Sequence, residues 1–245
     1  VVESFPGQFR NWFYSLLALS TVMEDRAPFK TLLGHGLVKD ETGRDMHKSW
    51  GNTIWFDDAA EEIGVDVMRW MYANQNIENN LLFGYGPATE VRRKLITLWN
   101  VYSFFATYAA IDGFSPSISN VKNDDLTILD QWILAKSNLL IQQAVVAFDG
   151  YRVDKFIRHF ERFLDDLSNW YIRRSRRRFW KSEGDADKQA AYQTLYQVLL
   201  ISIKVIAPIL PFMTEEIYQN LARNTDQSLP ESIHLSDYPK VNEGK

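Results

Sequence analysis

Between residues 10 and 23 Leu, Ala and aromatic side chains crowd together with little polar relief, so Arg10–Met23 reads as a buried helix. After a loop at Pro28, the apolar run Thr31–Val38 with its two glycines fits a short strand. Lys39–Asn52 turns polar, with Gly43 and Gly51 near its ends, and reads as a mobile loop. Asp57-Asp58 opens a short helix, and Asp66 sits in the first turn of another through Val67, Met68, Trp70 and Met71, where acids suit the helix dipole. Asn74–Asn80 holds four Asn and one Gln, a loop that must satisfy many amides. Pro87 suits a first helical turn, and the pattern that follows is helical to about Ala110. Asp112–Asp125 is linker-like. Helices are predicted over Thr127–Phe148, Val153–Trp180 and Ala186–Ile206, with a kink at Pro208 and Pro211 and a last helix to Ala222. The tail beyond Arg223 is polar and expected to fray.

The first seventy or so residues therefore look α/β, and the rest looks like antiparallel helices joined by short connections. No internal repeat is visible. The boundaries expected are 1–73, 74–125, 126–223 and a polar tail at 224–245.

Composition narrows the chemistry. Of 245 residues, 46% are hydrophobic and 24% charged, which suits one large packed domain or two modest ones. A net charge of −4 gives no global basic field, so any polyanion site must be a local patch. With no cysteine, disulfides and thiolate metal sites are excluded. His35, His47, His159 and His234 lack metal-ligand spacing, and no protein-bound metal is expected. No apolar run approaches the ~20 residues of a membrane span; Val198–Leu210 is interrupted by Ser202, Lys204 and Pro208. A cytoplasmic protein agrees with this composition. The opening Val1-Val2-Glu3-Ser4 resembles neither an initiator nor a signal peptide, and reads as a start in mid-fold within something longer.

The densest chemical signal is Gly43-Arg44-Asp45-Met46-His47-Lys48-Ser49-Trp50-Gly51-Asn52. It follows a predicted strand and precedes a helix, where ligands collect in open α/β sheets. A lysine there meets phosphate oxygens as a flexible point charge, and glycines let backbone N–H groups approach. One lysine in a Gly-flanked loop also fits a solvated surface loop, and the spacing is not that of a Walker loop.

This segment resembles the Lys-Met-Ser-Lys-Ser loop of the class I aminoacyl-tRNA synthetases, followed by apolar-Gly-Asn. Leu33-Gly34-His35-Gly36-Leu37-Val38 looks like the strand leading into that loop, and Gln8-Phe9-Arg10-Asn11-Trp12-Phe13-Tyr14 looks like the Gln-x-Arg-Gly-Trp-Phe segment of the isoleucine enzymes. The likeness continues through Gly64-Val65-Asp66-Val67-Met68-Arg69-Trp70. Met46, Lys48 and Ser49 match the loop; Asp45 stands at its first lysine and His47 at its first serine. The resemblance implies that Lys48 stabilises the ATP phosphates, with Ser49, Met46 and His35 near the nucleotide. It also implies that Gln8 and Glu3 lie near the aminoacyl-adenylate, and that Trp12 lines that pocket or is a buried structural residue. For the missing first lysine two readings stand: Arg44 substitutes from the next position, or Asp45 pairs with Arg44.

The second signal is Asn169-Trp170-Tyr171-Ile172-Arg173-Arg174-Ser175-Arg176-Arg177-Arg178-Phe179-Trp180-Lys181, five Arg and one Lys without an acid. On a helix these cations are neighbours and repel unless an anion faces them. Either Glu161, Asp165 and Asp166 upstream neutralise them, or they meet an RNA backbone. The stretch resembles the anticodon-binding bundle of the isoleucine synthetases. Leu129-Asp130-Gln131-Trp132-Ile133-Leu134 resembles the opening of that bundle, and Ala207-Pro208-Ile209-Leu210-Pro211-Phe212-Met213-Thr214-Glu215-Glu216-Ile217-Tyr218 its later helix, a pattern shared across the class.

The resemblance implies a mainly α chain: the C-terminal part of a Rossmann-type catalytic domain, a helical stem-contact region and an antiparallel anticodon-binding bundle. It implies ATP with Mg2+ as substrate complex, L-isoleucine and tRNA(Ile) as partners, and a monomer. Arg173, Arg174, Arg176, Arg177, Arg178 and Lys181 are the expected tRNA contacts. The family's His-Ile-Gly-His motif and its editing domain are not in this sequence, so the chain by itself is expected not to activate isoleucine. The valine and leucine enzymes, a non-catalytic tRNA-binding module and a purely structural helical domain are the competing readings.

Overall fold

The computed structural model describes residues 1–116, 125–181 and 186–242. The protein is mainly helical and separates into two compact units, Val1–Val91 and Arg92–Lys245.

In the first unit the parallel strands β1 (Val2–Ser4) and β2 (Leu33–His35) pair with Ser4 opposite His35. Strands β3 (Val38–Asp40) and β4 (Leu81–Phe83) pair in parallel with Asp40 opposite Phe83. The run Thr31–Val38, expected as one strand, is therefore two, broken at Gly36-Leu37. The break has a local cause. Gly36 N–H donates to the Ile77 carbonyl (2.9 Å) and Leu37 N–H to Asn80 Oδ1 (2.9 Å). A Cβ at Gly36 would stand 2.4 Å from the Asn79 carbonyl oxygen, so only glycine fits. The amide-rich loop 74–80 supplies these partners and ties itself down, Gln75 Nε2 donating to the Asn80 carbonyl at 3.0 Å.

Helices α1 (Phe5–Gln8) and α2 (Trp12–Glu24) follow β1, and α3 (Phe56–Glu62) and α4 (Val65–Asn74) lie between β3 and β4. Acids occupy the first turns of α3 and α4 as anticipated: Asp57 and Asp58, then Asp66. Ala59, Ile63, Met68, Trp70, Met71, Leu81 and Phe83 form the core. Helix α2 departs from expectation. Phe13 is its one buried residue, packed at 5.4 Å on Phe29, while Val22 and Met23 are 85% and 75% exposed. The described residues offer that apolar surface little cover.

The division between the units falls within α5 (Tyr85–Asp112), which carries Pro87 in its first turn. Of the linker expected over 112–125, residues 117–124 lie outside the described residues. The second unit then runs through α6 (Ile128–Asp149), α7 (Val153–Asp165), a π-helical turn (Asp166–Ile172), α8 (Arg173–Phe179), α9 (Ala186–Ile206) and α10 (Pro211–Tyr218). A reciprocal capping box starts α6: Asp130 N–H donates to Thr127 Oγ1, and Thr127 N–H to Asp130 Oδ2. Phe156, Ile157, Phe160, Phe163 and Leu164 recur at helical spacing and bury one face of α7. Pro208 ends α9, and Pro211 opens α10 at a position that needs no N–H donor. Helix α9 is the hub, packing on α6, α8 and α10. Rings from α5, α8 and α9 meet in its core, Phe104–Phe179 at 5.2 Å and Phe179–Tyr192 at 4.9 Å.

The tail does not fray. Glu215 accepts from Ser232 Oγ (2.8 Å) and Ile233 N–H (2.9 Å), seating Ile233 in the core at 3% exposure. Tyr238 Oη donates to the Val205 carbonyl (3.1 Å), and Asn138 and Asn242 exchange two hydrogen bonds of 2.8 Å. Buried Ile233 and this chain of specific acceptors hold a segment whose average polarity suggests otherwise. Residues 243–245 of the tail lie outside the described residues.

Candidate functional site

The loop after β3 is a tight hairpin. Asp40 N–H donates to the Arg44 carbonyl, Gly43 (φ 89°) closes the turn, and Lys39 stands across from Asp45. The Asp40 carboxylate organises it. Oδ1 accepts from Thr42 N–H (3.0 Å), Thr42 Oγ1 (2.8 Å) and Arg44 N–H (2.9 Å), and Oδ2 accepts from Asn52 Nδ2 (2.8 Å). Those bonds, the Asn52 amide foremost, hold its carboxyl far below the ordinary carboxylate range. Asn52 closes the other end, its Nδ2 donating also to the Asp45 carbonyl (2.8 Å) and its Oδ1 accepting from His47 N–H (3.0 Å). The segment 46–51 thus hangs between two fixed points.

Lys48 lies in a 3₁₀ turn (Lys48–Trp50) at the head of that segment, with Nζ 4.6 Å from the centre of the Trp55 ring. His47 meets Trp50 edge-on at 4.2 Å. Lys48 and Ser49 are exposed and Met46 is half-buried. Among the described residues no acid pairs with Lys48. Asp45 pairs with Lys39, whose hydrogen bond and charge hold its carboxyl below the usual range, and not with Arg44. Nothing in the local sequence points to Lys39 or Trp55, because a cross-strand partner and a ring seven residues on carry no spacing signal.

The other residues expected near a nucleotide lie on or after β1 and β2. Glu3 sits opposite Gly34, and His35 ends β2 with Nδ1 2.8 Å from the Gly36 carbonyl oxygen. Gln8 ends α1, where its Oε1 accepts from Trp12 N–H (3.3 Å) and so steadies the start of α2. Trp12 is 49% exposed and is no buried structural residue.

In the second unit the arginine run divides. Arg178 turns inward: its guanidinium meets Asp130 with two bonds (2.8 and 2.9 Å) and Asp187 with a third (2.7 Å), and its side chain is 12% exposed. Tyr171 Oη donates to the same Asp130 at 2.7 Å. Burial alone would raise the Asp130 carboxyl, but Arg178, Thr127 and Tyr171 bring it below its ordinary value. Burial beside that anion drives the Tyr171 phenol well upward. Arg178 is expected from the sequence among the RNA contacts; a buried carboxylate claims it instead. Lys181 pairs with Asp187 at 2.9 Å.

Arg173, Arg174, Arg176 and Arg177 are exposed. Arg174 stacks on Trp170 at 4.5 Å, and among the described residues none of the four has an ion-pair partner. The upstream acids that are candidates to neutralise them are engaged elsewhere: Glu161 with Lys94, Asp166 with Lys136, and Asp165 with Asn169. Trp170 and Trp180, 50% and 55% exposed, bracket a face that presents cations and rings together.

Two further facts bear on ligands. No group of three or more His, Cys, Asp or Glu gathers as a metal site among the described residues, and no helix there is long and apolar enough to cross a membrane.

Residues 3–83 match the family of tRNA synthetases class I (I, L, M and V), and residues 130–245 match the anticodon-binding domain of tRNA ligase. The isoleucine–tRNA ligase of Dehalococcoides mccartyi is 44% identical over 234 residues, 95% of this chain and 23% of that protein. The isoleucine–tRNA ligase of Thermus thermophilus is 40% identical over 251 residues, 98% of this chain and 24% of its own length. The chain thus spans about a quarter of the length of the curated relatives it matches. Its fold is similar to that of a LeuRS–tRNA–LeuAMS ternary complex from Agrobacterium radiobacter K84, with a TM-score of 0.70 at 17% identity over 94% of this chain and 26% of that one. It is also similar to Mycobacterium tuberculosis methionyl-tRNA synthetase with methionyl-adenylate, with a TM-score of 0.63 at 20% identity over 85% and 44% of the two chains.

Proposed function

From a chain that matches the class I tRNA synthetases of the I, L, M and V group over residues 3–83, and the anticodon-binding domain of tRNA ligases over residues 130–245, we propose a segment of an isoleucine–tRNA ligase. The segment supplies the ATP-phosphate loop and the tRNA-binding helices. The observation that carries this reading is the 44% identity to an isoleucine–tRNA ligase across 95% of the chain, a span that takes in both the Lys48 loop and the α8 arginines. In this reading the first unit completes a Rossmann-type nucleotide site, and α6–α10 form the antiparallel anticodon bundle of a monomeric, cytoplasmic enzyme.

The chemistry follows from the loop. Isoleucine carboxylate attacks the α-phosphate of ATP, which enters with Mg2+ as a substrate complex, and pyrophosphate leaves. Charge concentrates on the phosphates as the bond breaks, and a cation that meets them only then lowers the barrier. At rest Lys48 lies on Trp55, a contact of about 0.5–1 kcal/mol at an exposed site, weak enough to yield to a polyphosphate. The fixed ends at Asp40 and Asn52 confine the movement to 46–51, so closing and reopening need not disturb the strands. Ser49, Met46 and His35 attend the nucleotide, and Gln8, Glu3 and Trp12 the adenylate side. Arg173, Arg174, Arg176 and Arg177 take the tRNA backbone.

The test is amino-acid-dependent exchange of pyrophosphate into ATP by the full-length protein, comparing isoleucine, valine and leucine. Isoleucine should support it best, and Lys48→Ala should abolish most of it. Exchange favouring valine or leucine would move the assignment to a sister enzyme. Exchange by residues 1–245 alone would show the catalytic half-site assigned here to be wrong.

A further inference from the structure

The loop 39–52 contains three acids, Asp40, Glu41 and Asp45, and three cations, Lys39, Arg44 and Lys48. All three acids are engaged. Asp40 holds the loop's own N–H groups and Asn52, Asp45 holds Lys39, and Glu41 Oε2 accepts from Gly86 N–H (3.1 Å) in the first turn of α5. Glycines at 84 and 86 admit that carboxylate, since a Cβ at Gly84 would stand 2.6 Å from Glu41 Oε2. Of the three cations, Lys39 alone is paired with an acid among the described residues. Two positive side chains are left with no anion in the loop to meet them: Lys48 and, four residues earlier, Arg44.

Arg44 is exposed, and among the described residues its guanidinium has no hydrogen-bond or ion-pair partner. Its backbone is nevertheless one of the best-fixed points of the loop, bonded to Asp40 from both its N–H and its carbonyl, each at 2.9 Å. The Asp45 carboxylate is taken by Lys39 and makes no pair with Arg44. A guanidinium so anchored and so unpartnered suits a phosphate. Its planar fork meets two oxygens at once, whereas a lysine offers a point charge.

We infer that Arg44 is the second phosphate-binding cation of this loop, gripping the triphosphate of ATP while Lys48 meets the charge of the transition state. The Lys39–Asp45 pair keeps Asp45 from repelling the same phosphates. This rests on the ATP-loop reading of Lys48, and the experiment separates the two. ATP–pyrophosphate exchange is measured on the full-length protein for Arg44→Ala, Arg44→Lys and Lys48→Ala, with KM resolved for ATP and for the amino acid. Arg44→Ala should lower kcat/KM for ATP by on the order of tenfold or more, chiefly through KM for ATP, with KM for the amino acid unchanged. Arg44→Lys should recover part of the loss, because charge returns without the fork. The Arg44 guanidinium holds no other part of the described fold, so thermal unfolding of Arg44→Ala should match the parent. If Lys48→Ala is crippled while Arg44→Ala stays within twofold of the parent, the Arg44 assignment is wrong and the ATP-loop reading stands. If Arg44→Ala raises both KM values alike, or Arg44→Lys is no better than Arg44→Ala, the assignment is equally overturned. If Lys48→Ala retains full exchange, the ATP-loop reading itself falls.

Discussion

Asp130 has no exposed surface, yet it carries a charge. Five donors make this tolerable: two guanidinium nitrogens of Arg178, the Tyr171 hydroxyl, and the hydroxyl and N–H of Thr127. Asp130→Asn would keep the volume and remove the charge, leaving Arg178 mostly buried with Asp187 alone. Removing one partner of a buried pair costs about 3–5 kcal/mol, and the remaining Asp187 interaction places this case near the lower figure. Urea unfolding should report it as a lower midpoint at unchanged slope. The sign of the pH dependence follows from the depressed carboxyl. Its stabilisation is complete above the ordinary Asp value of about 3.9 and drains away as pH falls below that toward the folded value. Parent and variant should therefore converge in acid; a gap independent of pH below 4 would rule the charge out as its source. At this scale the sequence is partly legible. It marks Lys48, Met46 and Ser49 as a unit, but offers no means of pairing Lys39 with Asp45 or Arg178 with Asp130, because those partners are chosen by the fold.

At the scale of elements, α8 is a sorted helix. Arg178, Ser175 and Phe179 face the core, while Arg173, Arg174, Arg176 and Arg177 face out. Binding of tRNA should therefore weaken with salt through the outer set alone. Arg173→Ala with Arg177→Ala should lower the slope of log affinity against log salt by roughly 0.7–0.9 for each phosphate no longer neutralised, leaving unfolding unchanged. Arg178→Ala should do the reverse, costing stability first. Equal slopes for the double variant and the parent would remove this face from RNA binding. Helix existence is read easily from the sequence, since the acids Asp57, Asp58 and Asp66 and the prolines at 87, 208 and 211 act locally. The exposure of α2 and the anchoring of the tail are not. In both, composition is a poor guide to environment, which depends on what the rest of the fold lays against the segment.

Across the whole molecule the net charge is −4, so in the proposed reading RNA affinity has to come from a patch set in an acidic background. Long-range attraction is then modest, and the proposed pairing at α8 has to act at short range. Stability of the second unit likewise depends on residues far along the chain. Ile233 is buried at 3% and its neighbours are bound to Glu215, so Ile233→Ala should cost about 2–5 kcal/mol in denaturant unfolding. A change below about 0.5 kcal/mol, the size of a typical surface substitution, would mean the tail is dispensable. The reciprocal amide pair between Asn138 and Asn242 joins residues 104 positions apart. On a translating ribosome, at about 5–20 residues per second, α6 emerges roughly 5–20 s before its partner exists. The bundle must wait through that interval with one seam open, and ribosome pausing or premature release anywhere in it leaves a helix pack that is nearly built but unlatched.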